Sequence, residues 1–460
     1  MATAAIDGAG YGSDTIGGHP KGLAYLAFTE LWERFSYYGM TALLALYMVK
    51  QLLLPGHAEN VLGLGALRDL FEFRGPMSNL AFASLVYGWY GGLVYFTPIV
   101  GGWIADRFLG AKHTVVLGAL LMSAGHLAMS FDQSFLIALG LLILGSGCLK
   151  GNIAAQVGAL YPAEAQSLRD RGFTIFSTGI NIGAVIGPLA AGGVAAVYGW
   201  HAGFALAAGL MLLALAVYLA GQRHLPEAPR RGITHQEEEP PLSGPQRRTV
   251  WALLGVIALS IPAAAAYSTI WSIGILWVDA HVSLGTPLGT VPSSWFSAVD
   301  SFGSIVAAPL LLALWAWQAR RGNEPGSLGK IGIGLAIVGL SALLLAAGNL
   351  TAPTPESVSV GWALAGYLGM GLGFMYYWPV TLALVSKSAP AKVKGTLMGA
   401  AYLSSFIGNT TGGWVGSFYD QMTPAAYWTL DAAIALTGAA LVFVVRGPLG
   451  RALEPDPAHG

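Results

Sequence analysis

The segment ELWERFSYY, residues 30–38, places three charged side chains and two tyrosines inside an otherwise apolar run. Glu30, Glu33 and Arg34 supply two carboxylates and a guanidinium, groups that exchange protons and bind a carboxylate ligand. An unpaired charge near the centre of a bilayer costs about 2.5–3.5 kcal/mol on insertion scales. We therefore expect these side chains to pair with each other, with a distant partner or with a ligand in a wet cavity.

Helical periodicity places the five polar residues of this segment on one face. At 3.6 residues per turn, Glu30, Glu33 and Arg34 align with Tyr37 and Tyr38. The alternative interpretation is an ion-pair cluster that only holds helices together. That interpretation does not explain why carboxylates outnumber the cation or why tyrosines flank them.

A second basic residue, Lys150, lies in the apolar run LLILGSGCLKGNIAAQVG. A lysine beside two carboxylates biases which of them keeps a proton, because opposite charge favours the ionised form and loss of water disfavours it. The residues thus predict a proton switch. Protonation of Glu30 or Glu33 would release Lys150, and loss of the proton would restore the pair.

The elements that must position these groups are long apolar helices. Of 460 residues, 55% are hydrophobic and only 10% are charged, whereas an average soluble domain has about 25% charged residues. Runs near the length that crosses a bilayer recur along the chain, and backbone groups in lipid must be satisfied within helices. The sequence predicts an all-α membrane protein with twelve transmembrane helices, over residues 22–49, 80–105, 113–131, 134–160, 172–198, 201–221, 250–279, 293–319, 329–350, 357–388, 392–416 and 424–446.

A polar connection divides the twelve spans into two bundles of six. We predict an unstructured tail over 1–21, an N-terminal bundle over 22–222, a linker over 223–249, a C-terminal bundle over 250–448 and a second tail over 449–460. With the N-terminus inside, eighteen of the 23 Lys and Arg fall on the cytoplasmic side, as the positive-inside rule requires. This predicts a multi-pass protein of the cell (inner or plasma) membrane with both termini in the cytoplasm.

Two bundles of six helices are typical of secondary transporters. A polytopic enzyme is the competing class, but the chain contains no HExxH zinc pair, no GxSxG elbow and no His and Cys with metal-ligand spacing. We therefore predict that the protein is not an enzyme and has no metal or cofactor apart from a coupling proton. Its formal net charge is zero, so overall charge indicates no particular partner. We expect the lipid bilayer as its surrounding, no nucleic-acid partner and no obligate protein partner. The outer-loop stretch ALRDLFEF is predicted to form a short amphipathic helix.

Several motifs resemble those of one family. ELWERFSYYGM is similar to the ExxERFxYYG signature of the proton-coupled oligopeptide transporters, the POT family, a branch of the major facilitator superfamily. YGWYGGLVYFTPIVGGWIADRFLGAKHT resembles the family's second helix followed by the superfamily's cytoplasmic motif. The stretches GSGCLKGNIAAQVGALY, GFTIFSTGINIGAVIGPL and PVTLALVSKSAPAKVKGTLMG resemble signatures of the fourth, the fifth, and the tenth and eleventh helices. The resemblance extends from Gly22 to about Tyr419 and implies the major facilitator fold.

The resemblance also implies a function, a proton-coupled symporter that imports di- and tripeptides by alternating access. It implies that Glu30, Glu33 and Lys150 take part in proton coupling. The residues implied to bind substrate in the N-terminal half are Arg34, which would receive the peptide carboxylate, and Tyr37, Tyr38, Tyr95, Lys150 and Asn181. Asp106 and Arg107 would belong to a cytoplasmic gate.

The C-terminal half departs from the family pattern at three places. Phe374, in GFMYYWPV, stands where relatives usually carry the tenth-helix acid that holds the amino group of the peptide. Asp300, in WFSAVDSFGS, stands where they usually carry an asparagine. The seventh helix offers Tyr267 and Trp271 in place of the usual glutamine and acid.

We predict that Asp300 takes over the role of the missing acid, both as a ligand of the peptide ammonium and in proton coupling. It is the only acid that the sequence places deep in the C-terminal bundle, whereas Asp431 is expected near the outer boundary. Trp271, Phe374 and Trp378 are predicted to line the same end of the cavity. In the alternative interpretation, Asp300 bonds a local neighbour and the substrate is a non-peptide anion or amino-acid conjugate that needs no amino anchor.

Overall fold

The structure, a computed structural model, describes residues 15–73, 75–162, 164–226, 241–287 and 289–453. The predictions for 1–14 and 454–460, in the two tails, and for 227–240, in the linker, lie outside the described residues.

Twelve long helices account for most of the described residues, as the apolar runs predict. The helices, in chain order, are α1 (Lys21–Tyr47), α2 (Leu64–Phe71), α3 (Asn79–Ile104), α4 (Gly110–Ala128), α5 (Phe135–Ala159), α6 (Gln166–Tyr198), α7 (Trp200–Gly221), α8 (Gly244–Thr269), α9 (Ile275–His281), α10 (Phe296–Arg320), α11 (Ser327–Thr351), α12 (Val360–Ser388), α13 (Lys394–Gly416) and α14 (Pro424–Leu453). The short α2 confirms the predicted amphipathic helix. Within the described residues, nine helical segments are long and apolar enough to cross a membrane, and one of these runs through both α3 and α4.

Three π-helical turns interrupt the α-helical pattern. They follow α1 (Met48–Leu52) and α3 (Ala105–Leu109), and they join α8 to α9 (Ile270–Gly274), so that these two helices form one long element. A π turn holds one residue more than an α turn and is frequent at functional sites. The turn at Ile270–Gly274 directly follows Thr269 and contains Trp271.

The prediction of an unstructured tail is wrong for residues 15–20. Strand β1 (Thr15–Ile16) pairs antiparallel with β2 (His19–Pro20). Gly17 and Gly18 form the two-residue turn with φ of +59° and +80°. Glycine adopts these left-handed values at little cost because it has no Cβ. His19 Nδ1 is hydrogen-bonded to Tyr161 Oη at 2.9 Å, so the hairpin is attached to the end of α5. A second hairpin joins β3 (Gly285–Thr286) to β4 (Gly289–Thr290).

The first compact unit consists of Met1–Phe73 and Phe96–Thr234, and its described part contains α1, α2, the end of α3 and α4–α7. In this unit α6 and α7 pack against α1, and α4 packs against α5 and α7. The contact between α3 and α5 is made by backbone, because a Cβ at Gly101 would lie 2.0 Å from the Gly147 carbonyl oxygen. Small residues allow such close packing where lipid supplies no hydrophobic driving force between helices.

Gly101→Ala is expected to destabilise the first unit, because α3 and α5 would have to separate to accept the methyl group. Overpacking of this kind costs about 1–3 kcal/mol. Gly102→Ala is the matched control, since a Cβ there has no neighbour within 4 Å. Thermal unfolding in detergent should show a lower midpoint for Gly101→Ala alone. Equal midpoints for the two variants would contradict the backbone contact.

Asp132 connects four segments at one end of the first unit. Its Oδ1 accepts hydrogen bonds from Tyr47 Oη at 2.5 Å and His201 Nε2 at 2.8 Å, and its Oδ2 lies 2.6 Å from His57 Nδ1. The sequence analysis did not anticipate this network. The carboxylate ties the start of α5 to α1, to α7 and to the loop after α1. In the described part of the chain, no group of three or more His, Cys, Asp or Glu has metal-binding geometry.

The second compact unit consists of Arg74–Tyr95 and His235–Gly460, and its described part contains α8–α14 and the first part of α3. Here α11 packs against α12 and α14, α8 against α13 and α14, and α10 against α12. The first part of α3 packs on α13, where a Cβ at Gly88 would lie 2.6 Å from Gly413 Cα. Residues 74–95 thus cluster with helices that follow them by more than 140 positions in the chain.

Candidate functional site

The charged stripe of α1 forms one compact ion cluster. Glu30, Glu33 and Arg34 are 4%, 0% and 6% exposed. Arg34 Nε donates a hydrogen bond to Glu33 Oε2 and lies 3.2 Å from Glu30 Oε1. A single guanidinium therefore serves two carboxylates, and the predicted alignment of these residues on one helical face is reproduced.

The same cluster has unused hydrogen-bonding capacity. In the described part of the chain, the buried atoms Glu30 Oε2, Glu33 Oε1 and Arg34 Nη2 have no hydrogen-bond partner. Leaving such atoms unsatisfied costs about 1–3 kcal/mol each, and more for charged groups. Two free acceptors and one free donor can be satisfied by a proton on a carboxyl group and by a carboxylate ligand on the guanidinium.

Tyr37 connects this cluster to Lys150. The Lys150 ammonium lies 4.4 Å from the centroid of the Tyr37 ring, and Arg34 Cζ lies 5.4 Å from the same centroid. Each contact of this type contributes about 0.5–2 kcal/mol, depending on desolvation. The sequence predicted Lys150 as the partner of the carboxylates. In this structure Arg34 is in contact with both carboxylates, while Lys150 is held beside them over the aromatic ring.

Glycines of α6 pack closely against the part of α1 that carries Arg34. A Cβ at Gly183 would lie 2.5 Å from the Leu31 carbonyl oxygen and 2.9 Å from Arg34 Cβ. One turn later, a Cβ at Gly187 would lie 2.5 Å from the Phe35 carbonyl oxygen. Because these neighbours are largely backbone, α6 holds α1 rigidly behind the ion cluster.

The other predicted residues of the first unit lie around this cluster or at its periphery. Tyr38 is half-buried and its ring contacts that of Tyr37 edge-on at 5.1 Å. Asn181 is exposed on α6, two residues before Gly183. Asp106 and Arg107 are exposed in the π turn Ala105–Leu109, away from the stripe in sequence.

Gly110 explains the geometry of the cytoplasmic motif next to that π turn. Its φ of +75° lies in the left-handed region, which favours glycine. Two residues later, the Lys112 ammonium donates to the Gln222 carbonyl oxygen at 3.3 Å. The chain therefore reverses between α3 and α4 and is tied to the end of α7.

Asp300 lies on α10 in the second unit and is 1% exposed. Its Oδ2 accepts a hydrogen bond from Tyr267 Oη at 2.8 Å. Its Oδ1 is buried and has no hydrogen-bond partner among the described residues. The carboxylate is thus held by a hydroxyl on α8, with one oxygen open to a donor such as an ammonium.

Phe374 joins the same group through its ring. It stacks on Tyr267 with centroids 4.9 Å apart and an interplanar angle of 20°. The approach of α12 to α10 depends on Gly371, where a Cβ would lie 2.5 Å from the Asp300 carbonyl oxygen. The structure therefore brings together Asp300, Tyr267 and Phe374, three of the positions at which the sequence departs from the family pattern.

The remaining predicted residues of the second unit are near this group in sequence but differ in their contacts. Trp271 is half-buried in the π turn Ile270–Gly274. Trp378 contacts Tyr402 of α13 edge-on at 6.0 Å. Tyr95 is half-buried on α3 and belongs to this unit, together with the C-terminal helices.

Asp431 on α14 is a second buried acid of the second unit. The sequence predicts it near the outer boundary of the membrane, and its side chain is 0% exposed. Thr269 Oγ1 lies 3.2 Å from its Oδ1, within hydrogen-bond distance. The packing of α8 and α11 on α14 covers this side chain. No sequence motif marks Asp431, and a lone acid in an apolar run was the only available signal.

Comparison with known protein families assigns the chain to one of them. The profile of the Major Facilitator Superfamily matches residues 27–413, which is most of the chain. The chain belongs to the major facilitator superfamily. Its twelve-helix fold, predicted from the apolar runs, is the fold of that superfamily.

Within the major facilitator superfamily, the chain is similar to peptide transporters. A di-/tripeptide transporter of Lactococcus lactis subsp. cremoris is 28% identical over 95% of this chain and 97% of the relative. The peptide transporter YePEPT of Yersinia enterocolitica is 26% identical over 94% of this chain and 95% of its own. A crystal structure of a mutant peptide transporter POT in complex with alafosfalin has a TM-score of 0.83 and 27% identity, with 96% and 97% of the two chains covered. These likenesses confirm the resemblance to the POT family that the α1 motif indicated.

The two polar groups differ in their charged side chains. The first combines Glu30, Glu33 and Arg34 of α1 with Lys150 of α5. The second offers a single acid, Asp300, beside an aromatic pair.

Proposed function

We propose that this chain is a proton-coupled symporter that imports di- and tripeptides by alternating access. The observation that carries the proposal is the buried cluster of Glu30, Glu33 and Arg34 with its unused hydrogen-bonding atoms. The similar di-/tripeptide and peptide transporters support the substrate class.

Charge balance explains why a proton accompanies each peptide. Glu30 and Glu33 carry two negative charges, and Arg34 and Lys150 carry two positive charges, so the empty group is neutral. A peptide carboxylate that binds Arg34 adds one negative charge in a poorly solvated place. Protonation of one glutamate restores neutrality and also releases the guanidinium for the ligand. Proton and peptide therefore bind together more favourably than either binds alone.

The peptide ammonium requires a counter-charge of its own. Asp300 supplies it, with Oδ2 held by Tyr267 and Oδ1 open. This assignment makes Asp300 the functional replacement for the acid that is missing at Phe374. A substrate without an amino group would leave Asp300 buried and uncompensated, which disfavours the alternative of a non-peptide anion.

The proposed setting is the cell membrane, with both termini in the cytoplasm. The distribution of Lys and Arg supports this orientation, and Asp106 and Arg107 then lie on the cytoplasmic side as part of a gate. The proposed function needs a proton, a short peptide and a bilayer. It requires no cofactor, no catalysis and no protein partner.

Peptide uptake into proteoliposomes tests the function. Uptake should rise with an imposed inward proton gradient and fall to the equilibrium level with an uncoupler. Competition by a panel of dipeptides, tripeptides and their N-acetylated forms identifies the substrate class. Uptake that ignores the proton gradient, or competition by N-acetylated compounds alone, would refute the proposal.

Two variants separate the hydroxyl of Tyr267 from its ring. Tyr267→Phe keeps the stack on Phe374 but removes the hydrogen bond to Asp300, whereas Phe374→Leu removes the stack and keeps the hydrogen bond. A hydrogen bond to a charged group is worth about 1.5–3 kcal/mol. We expect Tyr267→Phe to change the KM for dipeptides by roughly tenfold or more, and Phe374→Leu to alter preference among side chains. Equal effects of both variants on all peptides would argue against separate roles.

A further inference from the structure

We propose that Asp431 is a second proton-binding acid of the transport cycle, which acts on the π turn between α8 and α9 through the hydroxyl of Thr269. This inference rests on the proposed proton-coupled function for its role in transport, but the protonation of Asp431 can be measured without transport.

The two contacts of Thr269 provide an acceptor for a proton on Asp431. Thr269 Oγ1 lies 2.8 Å from the Ala266 carbonyl oxygen and 3.2 Å from Asp431 Oδ1. A hydroxyl has one hydrogen to donate and two lone pairs to accept. With that hydrogen directed at the nearer Ala266 carbonyl, the contact with Asp431 is favourable only if the acid carries a proton and donates it to Thr269 Oγ1. An ionised Asp431 would instead attract the hydroxyl hydrogen and leave the Ala266 carbonyl without it.

The surroundings of Asp431 favour the neutral acid. Asp431 is completely buried, and its Oδ2 has no hydrogen-bond partner in the described part of the chain. Loss of water disfavours an isolated carboxylate in such a place, so the neutral acid is the favoured form.

The helices packed on α14 bring no cation close to Asp431. The charged residues of α8 are Arg247 and Arg248 in its first turns, and the charged residue of α11 is Lys330, which pairs with Glu324. Tyr427 lies one turn earlier on α14, where its side chain interacts with Asp431 and its ring contacts Tyr419. On α9, Asp279 accepts from Ser293 and His281 Nδ1 bonds to the Pro355 carbonyl oxygen.

The location of Thr269 gives this proton a structural consequence. Thr269 is the last residue of α8, directly before the π turn Ile270–Gly274. The carbonyl oxygen of Ile270, at the start of that turn, accepts from Tyr367 Oη of α12 at 3.0 Å. Gly274, the last residue of the turn, packs against the same Tyr367 hydroxyl, since a Cβ at Gly274 would lie 2.6 Å from it. When the Thr269 hydroxyl turns its hydrogen from the Ala266 carbonyl to Asp431, the hydrogen bonds of Thr269 change. Thr269 is the residue at which α8 ends and the π turn begins.

Four consecutive residues connect this proton to the ammonium site. Tyr267 binds Asp300, Thr269 binds Asp431, and Ile270 is bound by Tyr367. Binding of an ammonium at Asp300 shifts Tyr267, and the helical backbone carries that shift to Thr269 two residues later. Proton release from Asp431 and substrate binding at Asp300 are in this way linked through one segment of α8.

Protonation and deprotonation of Asp431 balance in atoms and in charge. A proton from the medium adds to a carboxylate oxygen of Asp431 and forms an O–H bond, and this O–H donates to Thr269 Oγ1. On release the proton returns to solvent, Asp431 becomes ionised, and the Thr269 hydroxyl turns its hydrogen from the Ala266 carbonyl to the carboxylate.

Infrared difference spectroscopy on the purified full chain in lipid provides the test. A protonated carboxylic acid has a carbonyl stretch separate from all ionised carboxylates. We expect a band of this kind that is lost in Asp431→Asn, is shifted in Thr269→Val and is retained in Thr269→Ser. We also expect the band to change when a dipeptide is added. A band that is missing from the unmodified chain, or one attributable to Asp431 that neither pH nor peptide changes, would overturn the inference.

Transport measurements complete the test. Asp431→Asn and Thr269→Val should lower the number of protons moved per peptide and flatten the pH dependence of uptake, while counterflow exchange continues. Asp420→Asn, an acid on the exposed turn before α14, is the control and should behave as the unmodified chain. An unmodified chain that shows the infrared changes but no proton-driven uptake would refute the proposed function and leave the protonation of Asp431 established. An unchanged proton number in both variants would refute the role of Asp431 alone.

Discussion

Glu33→Gln and Lys150→Ala are each expected to abolish proton-driven accumulation of peptide while counterflow exchange continues. Glu33→Gln leaves the α1 group with one excess positive charge, so a peptide carboxylate can bind Arg34 without a proton. Lys150→Ala removes the cation that protonation of a glutamate would release, so proton binding no longer switches the group between two paired states. In both variants the link between proton binding and peptide binding is broken.

The expected effect is large and can be measured directly. A membrane potential of 100 mV supplies about 2.3 kcal/mol per charge, which corresponds to roughly 40-fold accumulation. In both variants the accumulation of peptide in proteoliposomes should fall from this level to about equal peptide concentrations on the two sides of the membrane. Glu59→Gln, on an exposed turn of the loop after α1, serves as the control. Accumulation at the unmodified level in both variants would eliminate the coupling scheme.

Asp300→Asn is expected to weaken the uptake of peptides that have a free amino terminus. The substitution keeps the size of the side chain and its contact with Tyr267, but it removes the counter-charge for the ammonium. Loss of one partner of a buried, hydrogen-bonded charge pair costs about 2–5 kcal/mol, which corresponds to a KM roughly 30-fold higher or more. N-acetylated peptides have no ammonium and should show no such change.

The comparison between free and acetylated peptides makes this prediction specific. Unchanged uptake of a free dipeptide by Asp300→Asn would remove Asp300 from the substrate site. Equal losses for free and acetylated peptides would indicate general damage to the fold, which the thermal unfolding midpoint of the variant would then reveal.

Most of the helical architecture could be predicted because it depends on local composition. Apolar runs long enough to cross a bilayer define the helices, and the amphipathic pattern of Leu64–Phe71 defines the one short surface helix. The polar stripe of α1 was also predictable, since helical periodicity alone places Glu30, Glu33 and Arg34 on one face. Membership of the major facilitator superfamily followed from motifs that the family profile confirms.

Not all partners of the charged residues could be predicted, because they depend on how the helices rotate and approach each other. Sequence reasoning grouped Lys150 with the carboxylates, but it did not assign Arg34 to both of them or place the Lys150 ammonium over the Tyr37 ring. The burial of Asp431 has the same origin. Its position near the start of α14 gave no indication that α8 and α11 would cover it.

The π turns were equally inaccessible to sequence reasoning. A π turn differs from an α turn by a shift of one residue in the hydrogen-bond pattern, and tertiary contacts decide whether that shift is stable. At Ile270–Gly274 one such contact comes from Tyr367, 97 positions further along the chain, whose hydroxyl donates to the Ile270 carbonyl oxygen.

The contact between Gly101 and Gly147 restricts the evolutionary divergence of this chain. A methyl group at Gly101 meets the carbonyl of Gly147, and one at Gly147 meets the backbone and Cβ of Thr97, so no neighbouring side chain can rotate to make room. A second substitution elsewhere cannot compensate unless a whole helix moves. Natural variation should therefore avoid positions 101 and 147 and accumulate more freely at Gly140, where an added Cβ has no neighbour within 4 Å.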